Sequence, residues 1–151
     1  MMEESALYER SMETAEVAAF EILCNALKMR GGVDAHMGFN PNKVDTLAFG
    51  IGAAQSGDVL LARNARKFHF GAWAQLWYRS RSVLQRMIMR MIQNTPFEVS
   101  GNILNFRLSQ GGVGEIIPAT VAVDTEKDPV PCFTVTLAFD LVFQAGEKKR
   151  D

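Results

Sequence analysis

The stretch Lys67–Arg79 alternates with a period of two. Phe68, Phe70, Ala72, Ala74, Leu76 and Tyr78 fall on one side, and Lys67, His69, Gly71, Trp73, Gln75, Trp77 and Arg79 on the other. That period, with so many rings, specifies a β-strand. Both sides carry large aromatics, and a strand with one face on water has no use for Trp73 and Trp77. The pattern asks for a cover on each face. Either helices supply both covers or a neighbouring subunit supplies one.

The segments around this strand sort into helices and strands. Ser5–Met29 reads as a helix, with Met12, Ala15, Ala19, Ile22, Ala26 and Met29 at steps of three and four and Phe20, Leu23 and Leu27 alongside. Its start is acidic, Lys28 and Arg30 complement the dipole at its end, and Gly31-Gly32 is the expected left-handed stop. The alanines on the stripe suggest close packing on a sheet. Residues 31–45 read as a flexible loop with turn chemistry at Asn40-Pro41-Asn42. Thr46–Ala53 is a glycine-weakened strand, Gln55–Asp58 a turn, and Val59–Arg63 a short strand or loop. After the central strand, Ser82-Val83-Leu84-Gln85 fits a capping box. The helix it opens aims Leu84, Met87, Ile88, Met91 and Ile92 at a core, with Arg86 and Arg90 outward, and stops at Thr95-Pro96. Phe97–Val99 and Ile103–Leu108 read as strand segments, and residues 109–131 as a flexible stretch holding an apolar run broken by Pro118. Phe133–Phe143 is the cleanest strand, and Gln144–Asp151 a polar tail. This order gives an α+β fold: a largely antiparallel sheet with an N-terminal and a second central helix packed on it.

The 151 residues suit one domain spanning 1–151. Sixteen basic against seventeen acidic residues leave a net charge of −1, which excludes a globally basic nucleic-acid binder. Cys24 and Cys132 stand far apart and in no metal spacing, so a zinc ribbon, a redox pair and a disulfide scaffold are excluded. Met1-Met2-Glu3-Glu4-Ser5 does not read as a secretory signal, and no apolar run reaches the roughly 18 residues of a bilayer span. The expectation is a soluble chain made in the cytoplasm.

Catalytic patterns are missing. His36 and His69 have no partner at ligand spacing, and His69, between Phe68 and Phe70, reads as a partly buried structural histidine. Gly50-Ile51-Gly52 lacks the third small residue of a dinucleotide loop, Gln55 standing there instead. Glu13 and Glu16 share a helix side and read as solvated surface. We therefore expect no catalytic residue, no cofactor, no metal and no enzyme.

Charge is uneven along the chain. Between Val59 and Phe97 lie Arg63, Arg66, Lys67, Arg79, Arg81, Arg86 and Arg90 with no acid, while glutamates and aspartates gather before and after. Three readings stand. The basic segment contacts nucleic-acid phosphate, or it meets the acidic flank of a neighbouring copy head to tail, or it pairs with the N-terminal helix of its own chain. Met89 lies on the outer side of the second helix beside Arg86 and Arg90, as an adaptable contact or an ordinary exposed residue.

An amphipathic N-terminal helix comes first, then glycine-punctuated strands. The strand AWAQLWYRS runs directly into the capped helix SVLQRMIMRMIQ, and a last strand TVTLAFDLVF closes the chain. This layout, over about residues 5–144, resembles the tail terminator (tail-completion) proteins of long-tailed bacteriophages. It is a match of pattern and size, carried by no invariant motif. The resemblance implies a homo-oligomeric ring of six subunits on the last ring of the tail tube, at the head-proximal end of the virion. Such a ring ends tube polymerisation and docks to a head-completion or connector protein, and genomic DNA passes its lumen unread. Trp73, Trp77, Arg79, Arg81, Arg86 and Arg90 are then the candidate intersubunit or partner contacts. A head–tail connector or tail-tube subunit is the sister reading. A small nucleic-acid-binding module, using the basic segment 63–90 and its tryptophans, is the reading from another class. A small enzyme or ligand-binding domain would need a pocket of converging polar groups, for which the sequence offers no set.

Overall fold

The computed structural model describes residues 4–38, 42–52, 60–62 and 65–145. In chain order these form α1 (Glu4–Leu27), β1 (Ala35–Met37), β2 (Thr46–Ile51), β3 (Leu60–Ala62), β4 (Ala65–Tyr78), α2 (Arg81–Asn94), β5 (Ile103–Val113), β6 (Ile117–Val121) and β7 (Val130–Ala145).

The period-two stretch is the backbone of the sheet. β4 pairs with β7 in unbroken antiparallel register from Arg66↔Ala145 to Tyr78↔Phe133. The far side of β4 takes β2 and β3, and the far side of β7 takes β5 and β6. The sheet has seven strands in the order β1-β2-β4-β7-β5, with β3 on β4 and β6 on β7. Among the described strands, β1 and β2 alone pair in parallel. The fold is α+β with a largely antiparallel sheet, as the element order predicts.

Both helices pack on one face of this sheet. Phe68, Phe70, Ala72, Ala74, Leu76 and Tyr78 of β4 are buried there with Leu137, Phe139, Leu141 and Phe143 of β7. Phe49, Phe97, Phe106 and Phe139 form the aromatic centre, with ring centroids 4.8 Å apart for Phe97–Phe106 and 5.4 Å for Phe106–Phe139. Ala15 and Ala19 are fully buried, and their small side chains let α1 lie close to the strands. The Glu16 carboxylate accepts from the Ile51 N–H at 3.2 Å, so this glutamate ties α1 to the end of β2 and is not solvated surface. Glu13 is exposed.

Several boundaries fall elsewhere than the sequence suggests. α1 stops at Leu27, with Lys28 and not Gly31-Gly32 as its left-handed stop. Lys28 takes the left-handed conformation (φ 56°), its N–H bonds Asn25 C=O, and Met29 N–H bonds Cys24 C=O. These are the two closing bonds of a Schellman motif, made here without glycine. No basic residue stands in the last turn of α1. The N-cap of α2 is Ser80, whose hydroxyl accepts from Val83 N–H at 3.3 Å, so Ser82 opens no capping box. Leu84, Met87, Ile88 and Met91 are buried as expected, but Ile92 is 43% exposed, beyond the edge of the buried stripe.

Two expected flexible loops contain strands. β1 lies within 31–45. β5 runs on to Val113 and β6 follows inside 109–131. β6 pairs with β7 alone, and such an edge tolerates Pro118. β5 continues through Gly111-Gly112 by shifting register between Leu108 and Val113. A Cβ on Gly112 would stand 2.5 Å from the Ala138 carbonyl oxygen, so the shift requires glycine. Phe97–Val99 is irregular rather than a strand, although the Phe97 ring is buried. Gln144 and Ala145 belong to β7. Asn40-Pro41 and Gln55–Asp58 lie outside the described residues.

Candidate interaction surfaces

Among the described residues no helix covers the second face of the sheet. It is built by the alternate residues of β4, which include Trp73 and Trp77, and by their neighbours on β2, β5, β6 and β7. The structure treats the two tryptophans differently. Trp77 is 6% exposed and packs with Ala48, Val121 and Cys132, ringed by Val44, Ala119 and Val123. Its own chain covers it, so it is a core side chain of this face. Trp73 is half-buried. It stands opposite Gly50 in the β2–β4 register, and a Cβ on Gly50 would lie 2.6 Å from its Cζ2. Glycine at 50 is what lets the indole lie across β2.

Beside Trp73 the face hollows into a concavity of 640 Å³, bordered by His69, Gly71, Arg107, Ser109 and Asp140. The Ser109 hydroxyl donates directly to Asp140 at 2.9 Å. This bond ties β5 to β7 beside the register shift. His69 is exposed here, contrary to the expected partial burial. The partly buried histidine is His36. Its Nδ1 lies 3.4 Å from Thr46 Oγ1, and its Nε2 is buried without a hydrogen-bond partner. Burial, and then Lys43, lower its pKa.

Both cysteines are buried and free. Burial pushes the Cys24 thiol up, helped by Asp34 and Glu21, and burial and then Asp45 do the same for Cys132. Raised thiols stay protonated, and the thiolate is the nucleophile and the metal ligand. Among the described residues no three His, Cys, Asp or Glu side chains gather as a metal site. Nor, among the described residues, is any helix long and apolar enough to cross a membrane.

The basic segment does not form one patch. The Arg79 guanidinium pairs with Asp45, Nη2 to Oδ2 at 2.6 Å and Nε to Oδ2 at 3.0 Å, and its backbone N–H donates to Oδ1 at 3.1 Å. Asp45 sits at φ 60°, so this clamp fixes the turn before β2. Arg81 lies over the Phe133 ring, 5.8 Å from its centroid. Arg86 and Arg90 are exposed on α2, on the opposite side of the sheet from the tryptophans, with no ion pair among the described residues. Lys67 is exposed on the helix-free face, and Arg63 lies outside the described residues. Thus Trp73 and the α2 arginines belong to two separate surfaces, and the pairing partner of Arg79 is Asp45 rather than α1. Sequence spacing missed the Asp45 clamp because its partners are 34 residues apart. It also missed the part Gly50 plays under Trp73.

The sheet edges add a third surface. Met37 of β1, Leu104 and Val113 of β5 and Ile117 of β6 are each between 39% and 49% exposed.

No family model and no curated protein matches the chain. Among the solved structures that match, one is similar over 99% of this chain and 100% of its own, at 15% identity and a TM-score of 0.34. A likeness that weak carries no conclusion.

Proposed function

We propose that the chain is a virion structural protein, a tail terminator whose copies form a six-membered ring. The ring caps the tail tube at its head-proximal end, ends tube growth and offers a docking face to the connector protein. Genomic DNA passes through the lumen without being read or cut. The observation that carries this reading is the helix-free second face of the β4–β7 sheet, with Trp73 half-buried across Gly50 and exposed apolar side chains along the sheet edges. Such a face and such edges give neighbouring copies a surface to pack on. The direct passage from β4 through Ser80 into α2 fits the layout of the resemblance. The nucleic-acid reading is weaker, because stacking rings and the free arginines of α2 lie on opposite sides of the sheet.

Light scattering with negative-stain images of the same fraction tests the proposal. Single or stacked six-fold rings that cap purified tail tubes support it. Long self-assembled cylinders would assign the chain to the tube instead. Binding of single-stranded DNA that falls steeply with salt would favour the nucleic-acid module.

A further inference from the structure

The outer sides of the two helices carry matching patterns of opposite sign. On α1, Val17 is 47% exposed, and Glu13 and Glu21 stand one turn to either side of it, both exposed. On α2, Met89 is 51% exposed, with Arg86 and Arg90 beside it, both exposed. The bias extends along each element. α1 holds five glutamates and one arginine, and α2 holds three arginines and no acid. Arg86 and Arg90 make no ion pair among the described residues, so none there offsets the charge of α2.

Position decides what such faces can bind. Both helices pack on the same face of the sheet, share its core, and border one hollow lined by Ile22, Ala26 and Asn94. Their outer stripes therefore point the same way, away from the strands. Two patches side by side and facing one way cannot close a ring head to tail. A second copy must be turned over to meet them. Turned about a two-fold axis, its α2 lies over α1 and its α1 over α2, and both charge-matched pairs form together.

We propose that this helical layer is a self-complementary docking surface for a second copy of this chain. Val17 against Met89 supplies a small apolar centre. The glutamate and arginine pairs around it set partner and orientation. The contact stands apart from the tail-terminator reading, since it pairs two free chains or two rings back to back.

Two variants test it, Arg86→Glu/Arg90→Glu and Glu13→Arg/Glu21→Arg. All four positions are exposed, and circular dichroism with a melting curve checks that each variant is folded. Each variant alone should have half the wild-type mass by light scattering, with affinity weaker by about a hundredfold. Their equimolar mixture should restore the full mass, because every charged face again meets its opposite. The proposal is overturned if either folded variant keeps the wild-type mass, if the mixture stays dissociated, or if the wild type is already monomeric. Images of the same fractions separate the two readings. Rings that persist at half mass support both. Variants that lose rings altogether would place this surface in the ring wall and refute the two-fold geometry.

Discussion

Trp77→Ala should destabilise the folded chain itself. Trp77 is 6% exposed in the single chain, held between Ala48, Val121 and Cys132. A tryptophan buries roughly 150–250 Å². At about 25 cal/mol per Å² that is roughly 4–6 kcal/mol of transfer free energy. Alanine keeps part of it, and large aromatic truncations cost about 3–5 kcal/mol. One wall of this site is β6, an edge strand paired on one side only, which can settle into the space. The expected loss is therefore about 3 kcal/mol, at the lower end of that range. For a chain of this size it lowers Tm by roughly 6–12 °C. Urea unfolding followed by far-UV circular dichroism measures it. A loss under about 1 kcal/mol together with a change in assembly mass would refute the reasoning. The ring would then be shielded chiefly by a neighbouring subunit.

Three further outcomes follow from the same packing. Gly50→Ala should destabilise by about 1–3 kcal/mol, and less in a Trp73→Ala background, since the new Cβ meets the indole; a double-mutant cycle reads the difference. Of the two tyrosines, Tyr78 should ionise near pH 12 in an absorbance titration at the phenolate band, because burial, with Asp45 and Asp34, pushes it up to about 12. The unfolded chain releases that proton near pH 10, so stability should fall as pH rises from about 10 to 12, and Tyr78→Phe should flatten this fall. His36 has its pKa lowered by burial and by Lys43, so the unfolded chain binds the proton first as pH drops below about 6.5. Stability should decline there, and a neutral His36→Gln variant that folds should lose that part of the pH dependence.

The fold was legible where side-chain periodicity meets one dominant partner. β4 shows its two faces residue by residue, and the alternation of Phe133–Phe143 matches it because the two strands pair throughout. The buried stripe of α2 was legible for the same reason. Helix ends were less so. Sequence statistics favour glycine at a left-handed stop and serine before a glutamine, yet Lys28 and Ser80 take those places because hydrogen bonds and packing around them decide. β5 was curtailed because Gly111-Gly112 looks like a breaker until the register shift over Ala138 is seen. For the surfaces, sequence placed Trp73 and the α2 arginines close together along the chain. It could not reveal that β4 and α2 send them to opposite sides of the sheet. Nor could it find the Asp45–Arg79 clamp, a contact created only by tertiary structure.

The most direct test of the proposed function is the solution mass of the purified chain by light scattering, with negative-stain images of the same peak. The ring reading predicts six-fold rings, single or joined in pairs through their helical layers. A strict monomer that also leaves the ends of purified tail tubes uncapped would contradict it.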